Sequence, residues 1–97
     1  DKRYVNIKVI KDDETDATKK LSGAKFTLEN ASDNPFTYKQ QGITGSDGYV
    51  MFKKLIDGRY ILTENTAPNG YEKQTESGEY WLVIKDGKIS SISVKTN

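Results

Sequence analysis

The chain has 97 residues, with 15 Lys and Arg against 14 Asp and Glu, for a formal net charge of +1. That size supports one domain with one core, and that balance gives no electrostatic reason to expect nucleic acid or an anionic membrane as a partner. His and Cys are both absent, which removes the commonest general base and metal ligand together with thiol catalysis, thiolate zinc, disulfides and a serine triad of the usual kind.

Apolar residues alternate with polar ones along most of the chain, the period of a strand with one buried face. Val5, Ile7 and Val9 make the first such run, and Ala24, Phe26 and Leu28 the second. Phe36 and Tyr38 suggest a weak third, and Val50 and Phe52 a short fourth. Tyr60 and Leu62 mark a fifth, and Tyr80 to Lys85 is apolar on both faces, as a central strand is. Ile89 to Thr96, with Ile92 and Val94 in phase, completes the set. Asp47-Gly48, Asp57-Gly58 and Asp86-Gly87 punctuate these runs, and Asp86-Gly87 reads as a two-residue hairpin loop. Asp12 to Lys20 and Asn30 to Pro35 read as polar loops. No sustained helical period appears, so the expectation is an all-β, two-sheet sandwich of about seven strands forming one domain over residues 1–97. No apolar run approaches the length needed to span a bilayer, and no signal peptide is visible at Asp1, so the chain reads as a piece of something longer.

One constellation carries chemistry. The inward phase of Val5, Ile7 and Val9 continues to Lys11, and that of Tyr60 and Leu62 continues to Glu64. Taking a charge out of water is costly unless it is paired or neutralised, so both groups are pushed toward their neutral forms. A neutral amine is a nucleophile, and a protonated carboxyl is a donor and proton shuttle. Against this stands the plainer reading, a lysine and a glutamate that snorkel to solvent or form a simple salt bridge. Lys8, the competing amine, falls in the outward phase.

The segment LSGAKFTL, followed by GSDGYVMFKKLIDGRYILTENTAPNGYE, resembles the B-type repeat domain of collagen adhesins, the CnaB or SpaA-like pilin family of Gram-positive bacteria. The resemblance rests on Gly23, Ala24, Phe26 and Leu28, on Glu64, Ala67, Pro68, Gly70 and Tyr71, and on the Lys-x-Asp of Lys11, Asp12 and Asp13. It implies a transthyretin-like or reversed immunoglobulin-type sandwich. It also implies a self-formed intramolecular isopeptide bond between a first-strand lysine and a last-strand Asn or Asp, assisted by a glutamate. Carried over residue by residue, the lysine is Lys11, the acid is Glu64 and the acceptor is Asn97. Asn97 falls out of phase with Ile92, Val94 and Thr96, so a β-bulge near the strand end is needed to turn it inward; otherwise the local face is that of Ile89, Ser91, Ser93 and Lys95, or no bond forms.

The resemblance further implies a stalk or spacer module of a cell-wall-attached extracellular adhesin or pilin, not an enzyme, without cofactor or metal. Its partners would be neighbouring domains of the same surface protein and, through the parent protein, a host extracellular ligand. The alternative is a module that itself binds a host protein or carbohydrate, by its loops or by addition of a strand at a sheet edge. Surface character separates the two, since a stalk shows scattered charge and a binding module a contiguous apolar or aromatic patch. Trp81 and the six tyrosines read more readily as core than as a sugar platform. Asp12, Asp13, Glu14 and Asp16 lack the spacing and central glycine of a calcium loop.

Overall fold

A computed structural model describes residues 4–73 and 77–96. They form nine strands and no helix: β1 (Val5–Ile10), β2 (Asp12–Asp13), β3 (Asp16–Lys20), β4 (Lys25–Asn30), β5 (Lys39–Ile43), β6 (Tyr49–Leu55), β7 (Gly58–Thr66), β8 (Glu79–Lys85) and β9 (Lys88–Val94). The large sheet has the order β5-β4-β7-β8-β9, the small sheet pairs β1 with β6, and β2 and β3 form a separate ribbon; all pairings are antiparallel. The sandwich expected from the alternation is therefore present. Its core joins Ile7, Val50, Phe52 and Leu55 of the small sheet to Phe26, Leu28, Tyr60, Leu82 and Ile84 of the large one.

Local chemistry explains where the alternation breaks. In β6, Phe52 and Leu55 are both buried although they lie three residues apart. The register shifts between Val5↔Leu55 and Ile7↔Phe52, so β6 carries one extra residue. Lys54 absorbs it at φ 63°, and the Asn6 Oδ1 accepts from the Lys54 N–H at 3.1 Å. A second bulge, between Val83 and Ile84, puts Ile89 opposite Ile84 and Ile92 opposite Leu82, so both isoleucines of β9 share the inner face. The hairpin between β8 and β9 has the expected two-residue loop. Asp86 and Gly87 both adopt positive φ, as that turn type demands, and the Asp57 carboxylate accepts from their two N–H groups at 2.8 and 3.0 Å.

Two expectations are corrected. Residues 12–20 are not a loop but the β2–β3 ribbon. The strand β3 is exposed throughout, so no apolar period announces it; its turn is set instead by Asp13 accepting from Thr15, with Asp16 accepting from Thr18 at the start of β3. The weak third strand starts later than Phe36 and Tyr38, at Lys39. Those two rings instead pack on Tyr60, with centroids at 5.8 and 5.5 Å.

Candidate functional site

Alternation in β7 turns Tyr60, Leu62 and Glu64 toward the small sheet, in rows with Asn30, Leu28 and Phe26 of β4. Glu64 is consequently only 1% exposed. Its N–H donates to the Gly78 carbonyl at 2.7 Å, which fixes this end of β7. Lys11 follows β1 directly. Its N–H donates to the Gly48 carbonyl at 2.7 Å, and its carbonyl accepts from the Leu21 N–H at 2.9 Å. Gly48 sits at φ +76°, and a Cβ there would stand 2.9 Å from the Lys11 carbonyl oxygen. The Asp47-Gly48 turn thus lets the backbone approach closely enough to hold Lys11 in place.

The two side chains meet between the sheets. Lys11 Nζ stands 3.3 Å from Glu64 Oε2, with the side chains 12% and 2% exposed. They close one end of a groove of about 170 Å³ whose remaining walls are Val9, Ile10, Phe26, Leu62, Tyr80 and Ile92. Phe26 and Leu62 line the groove itself, whereas Phe52 and Tyr60 lie deeper, in the core. The site has a lysine nitrogen and a glutamate carboxyl group in contact, facing an apolar space. Lys8 lies on the outer face, its Nζ 4.5 Å from the centre of the Tyr49 ring.

Asn97 lies outside the described residues. The Lys95 N–H donates to the Glu79 carbonyl at 2.9 Å, and Ile92 lines the groove. With strands about 4.8 Å apart, the two strand steps from β9 to β7 span roughly 10 Å.

Sequence reasoning missed the support around this pair. The Tyr71 hydroxyl donates to Asp13 Oδ2 at 2.9 Å and so ties the turn after β7 to the β2–β3 ribbon. Hydrogen bonds from the Thr15 hydroxyl, the Thr15 N–H and Tyr71 draw Asp13 down to about 2. Nothing in the sequence separates Asp13 from its acidic neighbours, because the partner is 58 residues away. Among the described residues no group of three carboxylates is placed to hold a metal ion. Trp81 is half-buried on the outer face, with the Arg59 guanidinium 4.5 Å and the Lys95 ammonium 5.5 Å from its ring centre.

The layers and the site together define a prealbumin-like sandwich with a lysine–glutamate pair between its sheets. The chain belongs to the SpaA family of prealbumin-like fold domains, which it matches over residues 5–97. It is similar to part of the pilus adhesin RrgA of Streptococcus pneumoniae, with 30% identity and a TM-score of 0.74 over 94% of this chain and 12% of that one. It is also similar to part of the Bacillus anthracis TIE protein, with 29% identity and a TM-score of 0.69 over 89% of this chain and 15% of that one. The chain thus spans a small fraction of either structure's length. No curated protein matches it.

Proposed function

We propose that this is a CnaB-type structural module, one domain over residues 1–97, in the stalk of a cell-wall-attached Gram-positive adhesin or pilin. In this reading it staples itself by an isopeptide bond from Lys11 to Asn97. The observation that carries this is the Lys11–Glu64 contact at 3.3 Å, buried at the end of an apolar groove. The family match and the similarity to a pilus adhesin support the setting.

In the reaction, Glu64 in its acid form donates to the Asn97 side-chain oxygen and polarises the carbonyl carbon. The neutral Lys11 amine attacks that carbon. Glu64 gives its proton to the departing nitrogen and takes one from the attacking nitrogen, so it ends as it began. The Asn97 C–N bond breaks, ammonia leaves, and Lys11 and Asn97 share an amide. Holding amine and carbonyl at contact distance supplies most of the acceleration. Each molecule reacts once, so this is not enzymatic turnover.

The bond suits a load-bearing module without cysteine, because it ties the first strand to the chain's end. A closed loop of this size is worth about 4–5 kcal/mol in the chain-entropy description of a cross-link. Intact mass tests the reading. We expect about 17 Da less than the sequence mass, the ammonia lost on acylation, and the full mass in Lys11→Ala and in Glu64→Ala. An unmodified mass in the natural chain would remove the bond from the account.

A second reading has its own observation. Ile89, Ile92 and Val94 form an exposed apolar row along β9, the kind of contiguous patch that marks a binding surface rather than a plain spacer.

A further inference from the structure

Six asparagines occur in the chain, and they form one Asn-Gly pair, Asn69–Gly70. Most of the others are held. The Asn6 Oδ1 accepts from the Lys54 N–H at 3.1 Å, the Asn65 Oδ1 accepts from the Thr27 hydroxyl at 2.6 Å, and Asn30 bonds to Ala31 and Tyr38 at 3.0 and 2.9 Å. Asn34 clasps the Arg59 backbone through both ends of its amide and is followed by proline, which has no N–H. Asn69 is different. It is exposed in the turn after β7, and among the described residues neither its side chain nor the Gly70 N–H makes a hydrogen bond.

The turn itself gives this pair its freedom. Pro68 is buried and anchors it, and the Tyr71 N–H donates to the Pro68 carbonyl at 2.9 Å, which places Asn69 and Gly70 at the centre of a four-residue turn. Gly70 has φ +86°, and a Cβ built there would meet nothing within 4 Å. Turn types I and II share this bond and differ in the orientation of the central peptide unit. Glycine at the second central position accepts either sign of φ, so the Asn69–Gly70 peptide can rotate while the Pro68–Tyr71 bond persists. That rotation brings the Gly70 nitrogen beside the Asn69 carboxamide, with no side chain on residue 70 in the way. Two Asp-Gly pairs show the contrast: the Gly48 N–H donates to the Gly45 carbonyl at 2.8 Å, and the Gly87 N–H donates to the Asp57 Oδ1 at 3.0 Å.

We propose that Asn69–Gly70 is a site of spontaneous modification, where the asparagine closes to a succinimide and reopens to aspartate and isoaspartate, lengthening the turn that carries Tyr71. The Gly70 amide nitrogen, having lost its proton to hydroxide, attacks Asn69 Cγ. The N–Cγ bond forms, the Cγ–Nδ2 bond breaks, and the departing nitrogen takes a proton from water and leaves as ammonia. Water then adds to the ring. Opening at Cγ gives aspartate, and opening at the backbone carbonyl gives isoaspartate, whose main chain runs through Cβ and Cγ. Isoaspartate adds one methylene to the backbone two residues before Tyr71. It also adds a carboxylate next to Gly70, which lines a cleft with Asp12, Asp13, Glu14 and Glu72. Both changes work against the 2.9 Å bond from the Tyr71 hydroxyl to Asp13. The site stands apart from the cross-link. Both reactions shed one ammonia, but here the deficit falls within residues 60–73 and hydrolysis turns it into a net gain of about 1 Da.

The test incubates the chain at neutral and at mildly alkaline pH, beside an unincubated sample. Trypsin, cutting after Arg59 and Lys73, releases residues 60–73 for mass spectrometry with electron-transfer fragmentation. A synthetic peptide of the same residues gives the rate without the fold. We expect a gain of about 1 Da at residue 69, with both aspartate and isoaspartate among the products, at a rate that rises with pH and lies within about tenfold of the free peptide's. Asn65, in the same fragment, should stay unmodified, and Asn69→Gln should keep both its mass and a native amide spectrum. In the isolated isoaspartate form the Tyr71 and Thr15 signals should move while those of β4 stay native. The proposal is overturned if the fold slows the reaction by more than that factor, if Asn65 reacts as fast as Asn69, or if Asn69→Gln gains the same mass. Aspartate formed without isoaspartate would also overturn it, because direct hydrolysis needs no ring, and unmoved Tyr71 signals would remove the lengthened turn.

Discussion

Tyr60 and Glu64 lie four residues apart on one face of β7, and both are essentially buried, at 0% and 1% exposure. Their polar ends are handled in opposite ways. The Tyr60 hydroxyl turns back on its own corner, donating to the Ile56 carbonyl at 2.6 Å and accepting from the Ile56 N–H at 3.0 Å. Glu64 instead reaches across the sandwich to Lys11, just past the end of β1 in the other sheet. A local partner closes a corner and is finished, whereas a partner on another layer, beside an open groove, leaves room for a third group.

The largest effect should come from exchanging the pair for apolar residues. If Lys11 and Glu64 were only a buried ion pair, Lys11→Met with Glu64→Leu would leave stability unchanged or raise it by about 1–4 kcal/mol. With the cross-link, the same double variant should lose about 4–5 kcal/mol, read from urea unfolding. Next comes the contrast between the covered and open flanks of the large sheet. Leu82→Ala should cost about 2–5 kcal/mol by leaving a cavity, while Ile92→Ala, at the position directly across from it, should stay within about 0.5 kcal/mol. Tyr60→Phe removes both hydroxyl bonds and strands the Ile56 backbone, so a loss of about 1–3 kcal/mol is expected.

The smallest effects are pH-dependent. Asp13 titrates near 2 in the folded chain against an ordinary 3.8, because Thr15 and Tyr71 donate to its carboxylate. Its contribution is present above the ordinary value and is lost as pH falls toward 2, since the unfolded chain takes up the proton first. Asp13→Asn should flatten the melting temperature against pH across that window. Tyr38 behaves oppositely. Burial pushes its hydroxyl up to about 12 from 10.0, so stability should fall as pH rises from 10 toward 12, and Tyr38→Phe should lessen that loss.

The alternation of Val5, Ile7 and Val9, of Phe26 and Leu28, and of Tyr60 and Leu62 was enough to establish an all-β chain with one inner face per strand, because the side-chain period of a strand is a property of the backbone. The same phase put Lys11 and Glu64 inside without any knowledge of what they meet. Three things depended on the tertiary structure. The bulges at Lys54 and in β9 changed which residues face inward, and an extra residue leaves no mark in a binary pattern. The β2–β3 ribbon was invisible because β3 buries nothing. The meeting of Lys11 with Glu64, of Asp13 with Tyr71, and the uncovered inner face of β9 all depend on which strands stack across the sandwich. That is a question of pairing between distant segments, which local periodicity does not encode.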